Sequence, residues 1–295
     1  MGKFKKEFTI KSIEEYISCV KEIYELEKSN NNSKHLFFRG QANEFWTLQP
    51  SVVRNRDEVK NHVKSKEYEL NEKQLVLDFY HNASRFSLNY HIDNDRISLL
   101  VDMQHYEVPT RLLDWSLSPL SSLYFAVEKN VEPGKNAVVY VFNPWNYNKE
   151  IFLMNKVSYN IPKIHEIYII GRALLSTYFD PKYFYFIENY IKSKYFYSIT
   201  PDELEIPFAF VSNFINSRIQ DQRGVFTIHG IKDIDLLKEN IFCKNAYCII
   251  IESTKKKEIY QQLNWLYINE YTQYPDIKGI KEIVGRTKGF FNIEI

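Results

Sequence analysis

Apolar residues recur at helical spacing near the start of the chain. Ser12, followed three residues later by Glu15, has the form of a capping box and predicts a helix start. The apolar positions after it fall on one helical face and are Ile13, Tyr16, Ile17, Val20, Ile23 and Tyr24. The polar run SNNNS at 29–33 indicates that the helix ends in a loop.

Short apolar runs elsewhere predict strands. LFFRGQ at 36–41 and NAVVYVF at 136–142 are dense enough in apolar residues for buried strands. RGVFTIHG at 223–230 and NAYCIIIES at 245–253 have the same character, and a further candidate strand covers 110–115. The chain therefore carries the strands of at least one sheet.

Helical patterns lie between these strands. One covers 97–106 and is stopped by Val108-Pro109, and a second begins with Ser118 as N-cap and Pro119 at the first helical position. Further helical patterns fall at 66–82, 231–239 and 255–266. Because strands and helices do not alternate regularly, we predict an α+β fold with a central mixed or antiparallel sheet and flanking helices.

The segment 146–205 differs from the rest of the chain. It contains PKYFYFIENYIKSKYFYS at 181–198, which is rich in Tyr and Lys and has few strand signals. We predict a helical, Tyr-rich insertion here. The predicted organisation is an N-terminal helix at 1–34, an α+β core formed by 35–145 and 206–295, and this insertion between the two core segments.

Composition narrows the class of protein. Hydrophobic residues make up 44% and charged residues 25% of 295 residues, which is typical of a globular protein. The net charge of +1 gives no global electrostatic case for nucleic-acid or membrane binding. Three scattered cysteines form no metal-ligand set and suit a reducing cytoplasm, and no apolar run has the length of a membrane span. We expect a cytoplasmic protein with no metal and no membrane partner.

Arg39 and Gly40 end the first predicted buried strand. A guanidinium suits phosphate or carboxylate, and a glycine allows close approach of a ligand to the backbone. The alternative is structural, with Arg39 paired to an internal carboxylate such as Asp114. Both interpretations remain open at this level.

The segment QHYEVPTRLLDWSLSPLSSLYFA at 104–126 concentrates polar groups beside a strand and a helix start. His105 suits an acid, a base or a donor to a ribose hydroxyl, although a lone histidine also completes the last turn of many helices. Arg111 and Asp114 lie three apart and should face opposite sides of a strand, so one arrangement pairs Asp114 with Arg39 and turns Arg111 toward a ligand. Ser118 is an N-cap whose helix also offers free N–H groups to phosphate.

Other candidate groups are less specific. Gln222 and Arg223 precede the strand VFTIHG, and Glu252 ends the strand at 245–253. The chain has neither a GxGxxG nor a GxxxxGK[ST] phosphate loop. The Tyr/Lys-rich insertion suits either a stacking surface for single-stranded RNA or an ordinary helical core.

Three segments together resemble the FRG-domain family, named after the triplet at Phe38-Arg39-Gly40. They are 36–54, 104–126 and 218–230, and the order H-Y-x-x-P-T-R-L-L-D-W in the second is the most specific part. The resemblance extends over about 36–285, including YPDIKGI at 274–280. Two positions depart from it, because Glu107 stands where glycine is typical and Lys278 replaces an aspartate.

The order of strands and polar residues also resembles that of ADP-ribosyltransferases. This resemblance implies NAD as substrate. It also implies that the position of the later-strand carboxylate corresponds to Asp221 or Gln222. Since glutamine brings no charge to an oxocarbenium-like state, the carboxylate role could instead fall to Asp221, Glu252 or Asp114. The implied catalytic residues are Arg39, His105, Arg111, Asp114 and Gln222, and the implied NAD-binding residues are Gly40, Gln41, Thr110, Trp115, Ser118, Tyr124 and Arg223.

Three hypotheses follow for the function. The first is an ADP-ribosyltransferase-like effector, acting as a bacterial toxin or an antiviral defence component on RNA or protein, with a cognate antitoxin or regulatory partner. The second is a non-catalytic module that binds a nucleotide or nucleic acid and acts through a partner protein. The third treats the charged residues as an internal network that only specifies the fold.

Overall fold

A computed structural model describes residues 3–28, 36–54, 75–83, 85, 96–128, 134–154, 207–210, 222–229 and 234–274. Seven strands form one sheet: β1 (Lys6–Ile10), β2 (Phe37–Gln41), β3 (Leu112–Ser116), β4 (Ala137–Phe142), β5 (Phe208–Phe210), β6 (Gly224–Ile228) and β7 (Ala246–Ile251). Their order across the sheet is β1-β7-β4-β2-β3-β6-β5. Only the β1–β7 pair is parallel among these strands. The α+β class with a mixed central sheet is thereby confirmed.

The helices are α1 (Ile13–Lys28), α2 (Arg96–His105), α3 (Pro119–Val127), α4 (Pro144–Met154), α5 (Asn240–Cys243), α6 (Lys256–Trp265) and α7 (Glu270–Gln273), with 3-10 turns at Leu236–Lys238 and Ser253–Lys255. The sequence predicted α1, α2, α3 and α6, but it did not predict the short helices α5 and α7. The predicted helix at 231–239 forms only the 3-10 turn at Leu236–Lys238 among its described residues. The predicted start of α3 is confirmed, because the Ser118 side chain accepts a hydrogen bond from Ser121 N and Pro119 opens the helix. The predicted capping at Ser12 is also present, since Glu15 N donates to Ser12 Oγ and Lys11 N donates to Glu15 Oε2.

Two apolar layers bury the two faces of the sheet. On one face, α1, α3 and α6 pack against β2, β4 and β7 around Phe38, Leu123 and Ile249. On the other face, α4 and α5 pack around Phe37, Trp115 and Phe142. A third cluster joins α2 to β5 and β6, where Phe210 stacks on Phe226 with ring centroids 5.7 Å apart.

Two strands were not predicted from the sequence. β1 has the polar sequence KEFTI and is mostly exposed, because it is an edge strand that pairs only with β7. β5 is three residues long and fully buried, so it is too short to leave a periodic pattern.

Some predictions concern residues that the structure does not describe. The helical pattern at 66–82 is observed from 75 onward, and its earlier part lies outside the described residues. Of the predicted insertion at 146–205, only the part in α4 is described. The division into an N-terminal helix, a core and an insertion stays a prediction.

Candidate functional site

A pocket opens where the sheet separates into two halves. β2 pairs with β4 along its whole length, but it pairs with β3 at a single position, Phe38 with Ser116. Beyond that pair the strands β1-β7-β4-β2 and β3-β6-β5 diverge, and a cavity of about 280 Å³ lies between them. Its lining residues are Phe38, Arg39, Gly40, Val101, Gln104, His105, Asp114, Trp115, Ser116, Ser122, Phe125, Gln222, Phe226 and Tyr274.

Arg39 spans the opening between the two halves. Its Nη1 donates a 2.5 Å hydrogen bond to the carbonyl oxygen of Asp114, where a strand-to-strand bond would otherwise lie. Its Nε is buried and makes no hydrogen bond to any described residue. Burial lowers the pKa of Arg39 to about 10, with Asp114 raising it and Arg54 lowering it further, so the guanidinium stays charged at neutral pH. A half-buried cation with an unused donor suits an anionic group.

The carboxylate of Asp114 lies in the same pocket and is oriented by the side chain of Gln104. Gln104 Nε2 donates to Asp114 Oδ2 at 2.7 Å, and Gln104 Oε1 accepts from Thr110 Oγ1 at 2.5 Å. The hydroxyl of Thr110 also accepts from Leu112 N at 3.1 Å, so its proton is directed to Gln104. This order fixes the orientation of the Gln104 amide and, through it, the orientation of the carboxylate.

The interaction of Arg39 with Asp114 differs from the predicted pairing. The sequence suggested contact between the guanidinium and the Asp114 carboxylate, but the guanidinium bonds the Asp114 carbonyl and the carboxylate bonds Gln104. The reason is the split in the sheet, which exposes main-chain carbonyls of β3 that no strand satisfies. The carboxylate consequently remains available to the pocket.

Gly40 serves helix packing as well as the pocket. A Cβ at this position would lie 1.8 Å from the Ser122 carbonyl oxygen and 2.7 Å from the Ala126 backbone nitrogen. The glycine therefore lets α3 approach β2, which differs from the predicted close approach of a ligand to its backbone. The same approach brings the hydroxyl of Ser122, which is buried and makes no hydrogen bond to the described residues, to the pocket wall.

Gln222 and Tyr274 close another side of the pocket. The side-chain Nε2 of Gln222 donates to the main-chain carbonyl of Gln273 at 2.7 Å. The main-chain carbonyl of Gln222 accepts a hydrogen bond from Ser116 Oγ at 2.5 Å. Tyr274, directly after Gln273, meets Phe125 edge to face with ring centroids 6.0 Å apart. His105, the last residue of α2, completes the lining and contacts Tyr106 edge to face at 4.9 Å.

Of the predicted catalytic residues, Arg39, His105, Asp114 and Gln222 meet in this pocket, whereas Arg111 is not among its lining residues. Arg111 is buried beside His229, whose backbone nitrogen donates to the Arg111 carbonyl at 3.0 Å. Burial and then the positive charge of Arg111 lower the pKa of His229 to about 3, so its imidazole is neutral.

The predicted NAD-binding residues divide in the same way. Gly40 and Trp115 line the pocket, although the indole of Trp115 packs on Phe142 at 4.7 Å and donates to Thr227 Oγ1 at 3.1 Å. Five others are placed in the surrounding structure instead of the lining: Gln41, Thr110, Ser118, Tyr124 and Arg223.

Each of these five has a local role. Gln41 donates to the Thr47 carbonyl at 3.1 Å, Ser118 caps α3, and Tyr124 packs against Tyr260 at 5.9 Å. Thr110 orients Gln104, and Arg223 is exposed in a left-handed turn with φ of 49°. Arg223 therefore lies beside the pocket residue Gln222 without joining the wall itself.

Sequence reasoning missed seven polar or aromatic residues of the wall: Phe38, Gln104, Ser116, Ser122, Phe125, Phe226 and Tyr274. Gln104, Ser122 and Phe125 all lie within the segment 104–126, where charged residues drew the interpretation, and Tyr274 opens the segment 274–280. The signal for Gln104 was its place directly before His105 at a helix end. Nothing in the local pattern distinguished Ser122 or Phe125 from core positions of α3.

Within the described ranges, no three His, Cys, Asp or Glu residues come together as a metal site. None of the helices in the described part of the chain is both long and apolar enough to cross a membrane.

The fold and the site thus define an α+β domain with a pocket of about 280 Å³ in a divided sheet. A family model for the FRG domain matches residues 34–135, which include β2, α2, β3 and α3. The predicted FRG domain is therefore confirmed for residues 34–135, and the extension of the resemblance to about residue 285 stays a prediction. Gln222 and Tyr274 complete the pocket from outside the matched segment. No curated protein and no solved structure matches the chain.

Proposed function

We propose that the pocket binds NAD and transfers its ADP-ribosyl group to an acceptor. The observation that carries the proposal is the presence in one cavity of a half-buried guanidinium, Arg39, with an unused Nε–H, and a carboxylate, Asp114, oriented by Gln104. The cavity of about 280 Å³ suits one end of a dinucleotide, the other end extending toward its mouth.

Arg39 is assigned the pyrophosphate. Phosphate oxygens are the strongest natural partners of a guanidinium, and this one is charged and partly unbonded. An anion at this position would also lower the electrostatic cost of burying the cation.

Asp114 is assigned the carboxylate that stabilises positive charge on the ribose. Among the three carboxylates considered from sequence, Asp221 lies outside the described residues and Glu252 pairs with Lys11 at 3.2 Å, away from the pocket lining. Asp114 is in the lining, and the Gln222 amide carries no charge. A fixed carboxylate beside a developing cation is a strong form of electrostatic catalysis.

The chemistry requires no metal or redox partner. The bond between C1′ and the pyridinium nitrogen breaks, nicotinamide leaves with the bonding electron pair, and an acceptor oxygen or nitrogen bonds C1′ and loses a proton. His105 is assigned a donor role to a ribose hydroxyl.

The resemblance to ADP-ribosyltransferases supports a proposal about the biological role. The protein would be a cytoplasmic effector, either a bacterial toxin or an antiviral defence component, with RNA or protein as acceptor. A cognate antitoxin or regulatory protein would then control it. The Tyr/Lys-rich sequence at 181–198 favours RNA, since aromatic rings stack on bases of any sequence.

The test is incubation of the purified full chain with NAD, with and without RNA and cell lysate. Free nicotinamide is measured by chromatography and ADP-ribosyl adducts by mass spectrometry. We expect Asp114→Asn to lower nicotinamide release by roughly 100-fold to 1,000-fold with little change in NAD affinity. Arg39→Lys should instead weaken NAD binding, because lysine keeps the charge but loses the fork.

Matched controls separate these effects from general damage. Arg85→Lys changes an exposed arginine, and Glu252→Gln removes the strand-end carboxylate that pairs with Lys11. Both should retain wild-type turnover. If Glu252→Gln abolishes turnover and Asp114→Asn does not, the carboxylate assignment is wrong.

A non-catalytic nucleotide-binding module is the second candidate. The observation that favours it is Gln222, whose side-chain amide bonds the Gln273 carbonyl where the resemblance expects a carboxylate. If its ligand is NAD, this candidate predicts that NAD raises the melting temperature and is recovered intact. Intact NAD with no thermal shift would contradict the first candidate, and the second would then require another nucleotide or a nucleic acid as ligand.

A further inference from the structure

One wall of the proposed NAD site is tied to the rest of the pocket by a side-chain hydrogen bond from Gln222, in addition to a bond from the Tyr274 hydroxyl to Glu128 Oε1 at 3.5 Å. Tyr274 lines the pocket directly after the short helix α7, which lies far along the chain from the other lining residues. The backbone of α7 is held to the rest of the site through Gln222, whose Nε2 donates to the Gln273 carbonyl at 2.7 Å.

The Gln222 end of this connection is itself fixed. Ser116 Oγ accepts from Ser118 N at 2.8 Å and donates to the Gln222 carbonyl at 2.5 Å, while Leu117 N donates to the Arg223 carbonyl at 3.0 Å. Arg223 adopts a left-handed φ of 49° in the same turn. Because Ser116 at the end of β3 and Leu117 directly after it hold this turn at two main-chain carbonyls, the backbone that carries the Gln222 side chain is fixed in place.

From this geometry we infer that Gln222 is a positioning residue, which fastens Tyr274 against Phe125 to form the aromatic wall that receives a nucleotide ring. The inference rests on the proposed function for the identity of the ligand. It assigns Gln222 a role that needs a hydrogen-bond donor and no negative charge. Tyr274 and Phe125, edge to face at 6.0 Å, supply the apolar surface on that side of the pocket.

The substitution Gln222→Glu separates the positioning role from a catalytic carboxylate role at position 222. If position 222 were the catalytic carboxylate position, Gln222→Glu would raise transferase activity. Under the positioning role it lowers NAD affinity, because a carboxylate cannot donate to the Gln273 carbonyl. Gln222→Met keeps the length of the side chain without the donor and should have the same effect as Gln222→Glu.

The experiment first measures the local stability of the segment that carries Tyr274 and then measures NAD kinetics. Hydrogen exchange of the peptide covering 269–274 is followed without ligand in the wild type, Gln222→Met, Gln222→Glu and the control Gln261→Met. Gln261 is an exposed glutamine on α6, so its loss should leave exchange unchanged. We expect faster exchange in this peptide for both Gln222 variants, and KM for NAD higher by about tenfold with kcat nearly unchanged.

A double variant shows whether Gln222 acts through Tyr274. In the Tyr274→Ala background, Gln222→Met should cause no further loss of NAD affinity. Additive losses would overturn the inference, because Gln222 would then touch the ligand itself, and so would unchanged exchange at 269–274. The protein could also leave NAD unbound and intact while both Gln222 variants show faster exchange at 269–274. That result would support the positioning role of Gln222 and would reject only the assignment of NAD as the ligand.

Discussion

At the scale of single residues, the site depends on atoms that serve the fold and the ligand together. Arg39 bonds the Asp114 carbonyl of the neighbouring strand through Nη1, while its buried Nε has no hydrogen-bond partner among the described residues. The sequence identified Arg39 as exceptional because a charged residue ended a buried strand. It suggested Asp114 as a partner but not the main-chain carbonyl as the bonded group, since that carbonyl becomes available only through the separation of two strands distant in sequence.

Gly40 provides a residue-scale prediction about packing. Gly40→Ala should destabilise the protein by about 3 kcal/mol or more, because the new methyl group meets the backbone of α3 and no rotamer change can relieve the clash. Urea unfolding followed by circular dichroism measures the change in free energy.

Gly134→Ala is the matched control. Gly134 has φ of 78° with open space around it, so alanine there meets only backbone strain and should cost about 1 kcal/mol. Equal losses for the two variants would mean that the approach of α3 to β2 does not determine the requirement for glycine at position 40.

At the scale of elements, the end of α2 explains a departure from the family pattern. Val108 N donates to the Met103 carbonyl at 2.9 Å and Glu107 N donates to the Gln104 carbonyl at 3.1 Å, which together form a Schellman motif. Met103 and Val108 belong to the same apolar cluster, as this motif favours. Glu107 has φ of 62°, a conformation that suits glycine, the residue typical of this position.

Glu107→Gly should therefore stabilise the protein, in spite of adding a glycine. Relief of the left-handed strain should contribute about 1 kcal/mol. Thermal and urea unfolding measure it, with Lys21→Gly as the control of opposite sign. Lys21 is exposed in the middle of α1, where glycine should cost about 1 kcal/mol. A lower melting temperature for Glu107→Gly would show that strain is not the dominant energy at this turn.

Elements with strong local signals could be predicted, and those without them could not. The serine–proline start of α3 and the apolar runs of β2, β4 and β7 carry their own evidence in sequence. β1 does not, because its stability comes from pairing with β7 at the other end of the chain. Propensity alone therefore underestimates edge strands whose pairing is supplied by a distant partner.

At the scale of the whole molecule, the site arises from topology. Neither half of the sheet contains the pocket, which exists only because β2 and β3 meet at one residue pair and then diverge. Gln104, Gln222 and Tyr274 reach it from three separate segments of the chain. Register and divergence are long-range properties, so the sequence could indicate which charged residues matter while leaving their mutual geometry undetermined.

Global stability should depend on pH through His229. Its pKa is about 3 in the folded protein and near 6.5 in the unfolded chain, because burial and the charge of Arg111 disfavour the imidazolium. Below pH 6.5 the unfolded chain binds a proton that the folded protein does not. The contribution is therefore complete above pH 6.5 and is lost progressively as the pH falls toward 3. Between pH 7 and 5.5 this linkage should remove about 1 kcal/mol of unfolding free energy.

His229→Gln tests this linkage, since glutamine keeps a polar side chain but does not titrate. Urea unfolding at pH 7, 6.25 and 5.5 should give a shallower pH dependence for His229→Gln than for the wild type, by about 1 kcal/mol over the range. His81→Gln removes an exposed histidine and should keep the wild-type slope. Equal slopes for all three proteins would mean that the buried imidazole accepts a proton in the folded state. The conclusion that the His229 imidazole is neutral beside Arg111 would then be wrong.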